Sequence, residues 1–200
     1  MLYLEDFRNL RLLVDGCIEF VDAAENGDVA KARQMLDNGM HPDTQGPKGW
    51  TALRKAAVRN RYDVAIELLK RRASVDATNY TGQTALMMAC AYGHHEMALL
   101  LLFYGADPNR SNCSGRTALM IAASNGNAHV VGALLDASSR IDVNKTSENG
   151  KSALAMAIEY GHDNVAKMLV AAGGKHPTTG FMRNRRKCPA RYGVLKRGVV

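Results

Sequence analysis

The sequence is poor in aromatic residues, which make up 6% of its 200 residues and include one tryptophan, Trp50. So little ring area argues against a β sandwich, whose strands favour aromatic and β-branched side chains. Plentiful Ala, Leu and Met favour helices instead. Cysteine is sparse too: Cys17, Cys90, Cys113 and Cys188 stand far apart, with no C-x-x-C. That spacing fits free thiols in a reducing compartment better than a disulfide framework, and it offers no paired ligands for zinc. No apolar run reaches membrane-spanning length, and the longest, from Met97 to Tyr104, has the length of a short buried helix. The opening stretch, Met1-Leu-Tyr-Leu-Glu-Asp-Phe-Arg8, carries acids where a signal or transit peptide has none, so cleaved targeting is not expected. These absences point to the cytoplasm or another reducing compartment, leave a nuclear or organellar assembly open, and speak against secretion.

Acidic residues are missing altogether from the last 26 positions, Lys175 to Val200, which hold eight Lys or Arg. The whole chain has 26 basic and 19 acidic residues, net +7; without those eight, 18 bases face 19 acids, net −1. The basic character therefore belongs to the tail and not to what precedes it. Gly173-Gly174 and Pro177 separate the two, because glycine ends a helix readily and proline discourages restarting one. Arg183, Arg185, Arg186, Lys187, Arg191, Lys196 and Arg197 are the tail's candidate anchoring residues. They suit an acidic protein surface, RNA phosphate or anionic lipid headgroups. The run Arg183-Asn-Arg-Arg-Lys187 also has the form of a nuclear import signal.

Catalytic motifs are absent as well. The sequence has no G-x-S-x-G, no G-x-x-x-x-G-K-[ST], no H-E-x-x-H and no G-x-G-x-x-G. His94-His95 is the only pair suggestive of a metal, and adjacent residues on a helix point in different directions. No enzyme activity and no cofactor are expected.

What is present is a repeat. Thr51-Ala-Leu, Thr84-Ala-Leu and Thr117-Ala-Leu begin 33 residues apart, and Ser152-Ala-Leu follows after 35. Small apolar pairs come next: Ala56-Ala57, Ala89-Cys90, Ala122-Ala123 and Ala157-Ile158, with Ala23-Ala24 in register before them. Gly27-Asp28, Gly93-His94, Gly126-Asn127 and Gly161-His162 recur, as do Met35-Leu36, Leu68-Leu69, Leu101-Leu102, Leu134-Leu135 and Met168-Leu169. Thr and Ser are good N-caps, so each unit reads as a short inner helix, a glycine break and a second helix. Gly39, Gly105 or Gly173 can end that second helix, and an extended hairpin loop follows. Cys90 reads as a core filler in its small pair. One such unit cannot bury its own apolar face, so the units must stack.

These residues resemble the ankyrin repeat family, whose signature is a Thr-Pro-Leu-His tetrapeptide in a 33-residue period. The resemblance implies an all-α solenoid of helix-turn-helix-hairpin units over residues 15–174, divided as 15–47, 48–80, 81–113, 114–148 and 149–174. An N-terminal capping helix over 1–14, with Leu4, Phe7, Leu10 and Val14 at helical spacing, and a basic extension over 175–200 complete the expected organisation. This chain departs from the signature. Ala replaces Pro throughout, and Arg54, Met87, Met120 and Ala155 replace the His. Some hydrogen bonds between units are then expected to be lost. The fourth unit has two extra residues around Ser138-Ser139-Arg140, read as a loop insertion. His94 and His162 share one repeat position, where the resemblance implies a structural role.

The resemblance also implies what the protein does. Such proteins bind other proteins through the hairpin tips and the exposed edge of the inner helices. Carried onto this sequence, those positions include Lys48, Trp50, Arg54, Arg59, Tyr80, Gln83, Tyr92, Arg116, Asn125, Lys151 and Tyr160. Trp50, Arg54, Arg59, Tyr80 and Tyr92 are expected to form an aromatic and arginine-rich strip on the surface, and these residue types dominate binding hot spots. The expected role is a non-enzymatic scaffold or adaptor, an accessory subunit of a larger assembly anchored by its tail. The alternative is a nucleic-acid-associated protein, ribonucleoprotein or nuclear, that holds phosphates with the tail.

Overall fold

The computed structural model describes residues 2–137 and 140–175, with side chains from Val14 onward. The tail residues from His176 on, and with them all the anchoring candidates, lie outside the described residues, as do Ser138 and Ser139. Among the described residues there are ten α-helices and no strand. The inner helices are α1 (Leu2–Asn26), α3 (Ala52–Val58), α5 (Ala85–Tyr92), α7 (Ala118–Ser124) and α9 (Ala153–Glu159). The outer helices are α2 (Val29–Asp37), α4 (Tyr62–Lys70), α6 (His95–Phe103), α8 (Ala128–Ala137) and α10 (Asp163–Ala171). The inner helices pack in series, and outer helices pack α2 on α4, α6 on α8 and α8 on α10.

The local signals act as their chemistry dictates. Thr51, Thr84, Thr117 and Ser152 each accept, through the side-chain oxygen, the backbone N–H three residues on, at 3.3–3.4 Å. This satisfies a donor that a helix start otherwise leaves open. Gly39, Gly105 and Gly173 take φ of 93°, 89° and 86° after the outer helices. Arg72 holds the same place in the second unit at φ 62°, a conformation that costs a side chain about 1 kcal/mol.

Stacking explains the periodic core. Ala52, Ala85, Ala118 and Ala153 are buried where inner helices meet, and small side chains there let the backbones approach. Val64, Met97, Val130 and Val165, then Leu68, Leu101, Leu134 and Leu169, fill the outer layer and are likewise buried. In the first unit the same register positions hold Glu19, Lys31 and Met35. Glu19 is exposed and pairs with Lys31 at 2.6 Å. An ion pair thus stands where every later unit presents an apolar surface to its predecessor. A solenoid needs such a polar end to remain soluble.

The capping helix expected over 1–14 is not a separate element. α1 runs unbroken from Leu2 to Asn26, because no proline and only Gly16 lie within it, and one interior glycine is tolerated.

Two ladders of hydrogen bonds tie the units together. At the helix break, Arg61 donates from Nε to the carbonyl of Glu25 at 3.0 Å, and Asn127 donates to that of Cys90 at 2.8 Å. His94 and His162 bridge from Nε2 to the carbonyls of Val58 and Ser124, both at 3.1 Å. Three residue types perform one task, and the structural reading of the two histidines holds. In the second ladder, Asp43, Asp76, Asn109 and Asn144 accept the backbone N–H of Ser74, Asp107, Asp142 and Lys175 at 2.7–3.2 Å. The side chains of Met87, Met120 and Ala155 carry no N–H or O–H donor at the histidine position, and these two ladders link the units. Their register shifts from 33 to 35 between Asn109 and Asn144, consistent with the two-residue insertion after α8.

Cys113 corrects the expectation of four free thiols: it is disulfide-bonded, while Cys17 and Cys90 are free. Spacing along the chain does not report which sulfurs the fold brings close. Cys90 is fully buried, and burial pushes its thiol well above the ordinary value. That makes it an inert core residue.

Candidate binding groove

The hairpin tips and the C-terminal ends of the inner helices form one continuous edge. The tips are built by asparagine. Oδ1 of Asn79 accepts the N–H of Thr81 and Gln83, and Oδ1 of Asn112 accepts those of Ser114 and Arg116, all at 2.9–3.0 Å. Successive tips then join through backbone, Cys113 N–H to the carbonyl of Thr81 at 3.0 Å and Glu148 N–H to that of Ser114 at 3.1 Å. The loops are therefore rigid platforms for the side chains they carry.

On this edge Tyr80, Tyr92 and Tyr160 are 59–60% exposed. Tyr80 lies over Gly49 of the preceding tip, where an added Cβ would sit 3.0 Å from its ring. Tyr92 stacks on His94 with centroids 6.1 Å apart. Lys48 and Arg59 are exposed, and Gln83 is half-buried with Oε1 accepting from Asn79. Asn125 is exposed, yet its amide is committed to the carbonyl of Ala91 at 2.8 Å. Around Glu25, Lys55 and Arg59 converge, Arg59 at 2.8 Å. Hydrogen bonds from Lys55 and then Arg59 hold that carboxyl below its ordinary value.

Three of the expected binding residues come together at the far end. Arg116, Lys151 and Tyr160 line a pocket of about 130 Å³ with Ser114, Asn149 and Glu159. Lys151 donates to both carboxylate oxygens of Glu159 at 2.6 Å. Arg116 donates from Nη2 to Ser124, while its buried Nε has no partner among the described residues.

The expected strip over units two and three differs in two members, Arg54 and Trp50. Arg54 is fully buried and does not face a partner. The fourth position of the tetrapeptide points under the hairpin of its own unit, where Gly49 and Trp50 meet the guanidinium. The guanidinium stacks on Trp50 at 4.3 Å and donates from Nη1 to the carbonyl of Gly49 at 3.2 Å. Nε and Nη2 find no acceptor among the described residues, and burial pulls the group down to about 10. Trp50 in turn is half-buried against the core and acts as the lid on Arg54. Its ring also receives Lys55 at 5.0 Å.

The apolar run from Met97 to Tyr104 also departs from expectation. Met97, Ala98, Leu100 and Leu101 are buried, but Leu99 is 40% and Phe103 84% exposed. Comparing register positions reveals the anomaly: Asp37, Lys70, Asp136 and Ala171 occupy the place that Phe103 fills in the third unit.

No metal-holding group of three or more His, Cys, Asp or Glu occurs among the described residues. None of the described helices is long and apolar enough to cross a membrane. The described residues form a stack of helix pairs with a row of hydrogen-bonded loop tips, an α-helical solenoid. A family model described as ankyrin repeats (3 copies) matches residues 20–112 and 102–179, and the chain belongs to that family. No curated protein matches the chain. Ankyrin repeats generally mediate protein–protein interaction, and the family is typically non-enzymatic.

Proposed function

We propose that this chain is a scaffold whose groove holds one protein partner and whose 175–200 segment tethers it to a larger assembly as an accessory subunit. The observation that supports this reading is the row of Tyr80, on a hydrogen-bonded loop tip, and Tyr92 and Tyr160, at the C-terminal ends of inner helices, each well exposed. Such side chains offer large contact area at a low entropy cost. Arg59 and the Arg116–Lys151–Tyr160 pocket extend the row with fixed polar groups. The groove and the tail are separate devices in this reading, since the acid-free segment follows the last helix pair.

Affinity purification with the full chain, a 1–174 chain and a Tyr80→Ala/Tyr92→Ala/Tyr160→Ala variant tests both halves. The groove partner should be lost with the triple variant and kept by the truncation, and the assembly should be lost with the truncation. Partners that neither change affects would refute the reading. Retention that depends on RNA and falls steeply with salt would favour the phosphate-binding alternative.

A further inference from the structure

The outer face carries a feature the groove does not use. α4 and α6 stand apart where other outer helices pack, and a groove of about 730 Å³ opens between them. Its apolar lining is Tyr62, Ile66, Leu99, Leu100, Phe103 and Tyr104. Phe103 projects from its edge, 84% exposed, with Tyr104 edge-on at 5.5 Å. Clustered exposed rings of this kind mark a contact surface.

Two charges stand on the rim, and their placement decides the occupant. Lys70 is the last residue of α4, and Glu96 lies in the first turn of α6. As outer helices of successive units, α4 and α6 run the same way, so the two charges sit at opposite ends of the groove. A surface with a protruding ring, a groove, and one charge of each sign at its two ends is self-complementary under a two-fold rotation. Exchanging the ends puts Lys70 beside Glu96 of a second copy, twice. A neutral rim offers nothing particular to a strongly charged segment, such as the chain's own cationic tail.

We propose that this protein forms a symmetric homodimer through the α4–α6 face, each Phe103 entering the groove of the other copy and each Lys70 pairing with the other's Glu96. The face is small beside the about 20–30 residues a side of a standard stable interface, so the dimer dissociates in the micromolar range. It leaves the tips and inner-helix edge free, and two grooves per assembly would raise avidity for a repeated partner.

Sedimentation equilibrium of the full chain over the micromolar range tests this. The average mass should climb from 21.7 kDa toward twice that value, and Phe103→Asp should hold it at the monomer with the helical circular dichroism unchanged. Lys70→Glu and Glu96→Lys should each weaken self-association about tenfold or more, through like charges brought together. A mixture of the two should recover it as a heterodimer, because each then supplies what the other lacks. A full chain that stays monomeric throughout overturns the proposal. So does a dimer that survives Phe103→Asp, or one that Lys70→Glu leaves at full strength.

Discussion

Units two and three repeat one backbone 33 residues apart and fill it with opposite chemistry. Inside, Arg54 of the second unit corresponds to Met87 of the third, and the residue above each is Trp50 or Gln83. Outside, Lys70 and Arg71 correspond to Phe103 and Tyr104. The second unit therefore buries a charge and exposes charges. The third buries a thioether and exposes rings. Both keep the same caps and the same cross-unit bonds, at Arg61 and His94. The backbone of a stacked unit is thus held by its caps, small residues and ladders, and the remaining positions are free to vary with function. A buried arginine is tolerated where a ring covers it: the Trp50 face replaces part of the hydration that Arg54 gives up.

Moving the charge should be the most damaging way to test this. Met87→Arg places a guanidinium under Gln83, with no ring to cover it, and should cost about 3 kcal/mol or more, read as a fall in the urea midpoint. Trp50→Ala removes the lid from the native arginine and should cost about 2 kcal/mol. In the double variant with Arg54→Met that loss should shrink, because the coupling between lid and charge has gone. Arg54→Met alone makes unit two resemble unit three and should raise stability by about 1 kcal/mol, since a well-packed apolar replacement removes an incompletely paired buried charge. Destabilisation by that change would show that the Gly49 hydrogen bond outweighs the desolvation.

The smallest effect concerns the boundary between units one and two. Glu25 titrates below its ordinary 4.5 because Lys55 and Arg59 favour its charged form. Its contribution is therefore complete above pH 4.5 and disappears as pH falls through the lower folded value. Glu25→Gln should cost about 1 kcal/mol at neutral pH, and the gap from the unaltered protein should close on acidification below about pH 4.5. A gap that is constant with pH would assign the effect to packing.

Much of the fold was readable from residue order, for reasons local to each unit. A threonine before Ala-Leu caps a helix whatever surrounds it, and a glycine after a helix takes positive φ at no cost. Register then placed Tyr80, Tyr92 and Tyr160 on one edge and the two histidines on unit boundaries. Arg54 is buried against expectation because arginine is ordinarily exposed, and only the folded hairpin, with Trp50 laid over the guanidinium, shows that its position is covered. Phe103 was hidden in an apolar run that reads as core, although comparison with Asp37, Lys70 and Asp136 in the same register marks it as an outward position. Helical spacing before residue 15 predicts the helix there but does not reveal that it continues unbroken to Asn26.

By itself, then, the amino-acid order determined the repeat, the capped helices, the stacking and the family, because each depends on spacing within some 33 residues. Tertiary structure decided which side chains are available to anything else. It buried Arg54 beneath Trp50, gathered Arg116, Lys151 and Tyr160 around one pocket, and left Phe103 beside an open groove. Exposure is a property of the neighbours that folding and stacking bring together, and spacing along the chain does not carry that information.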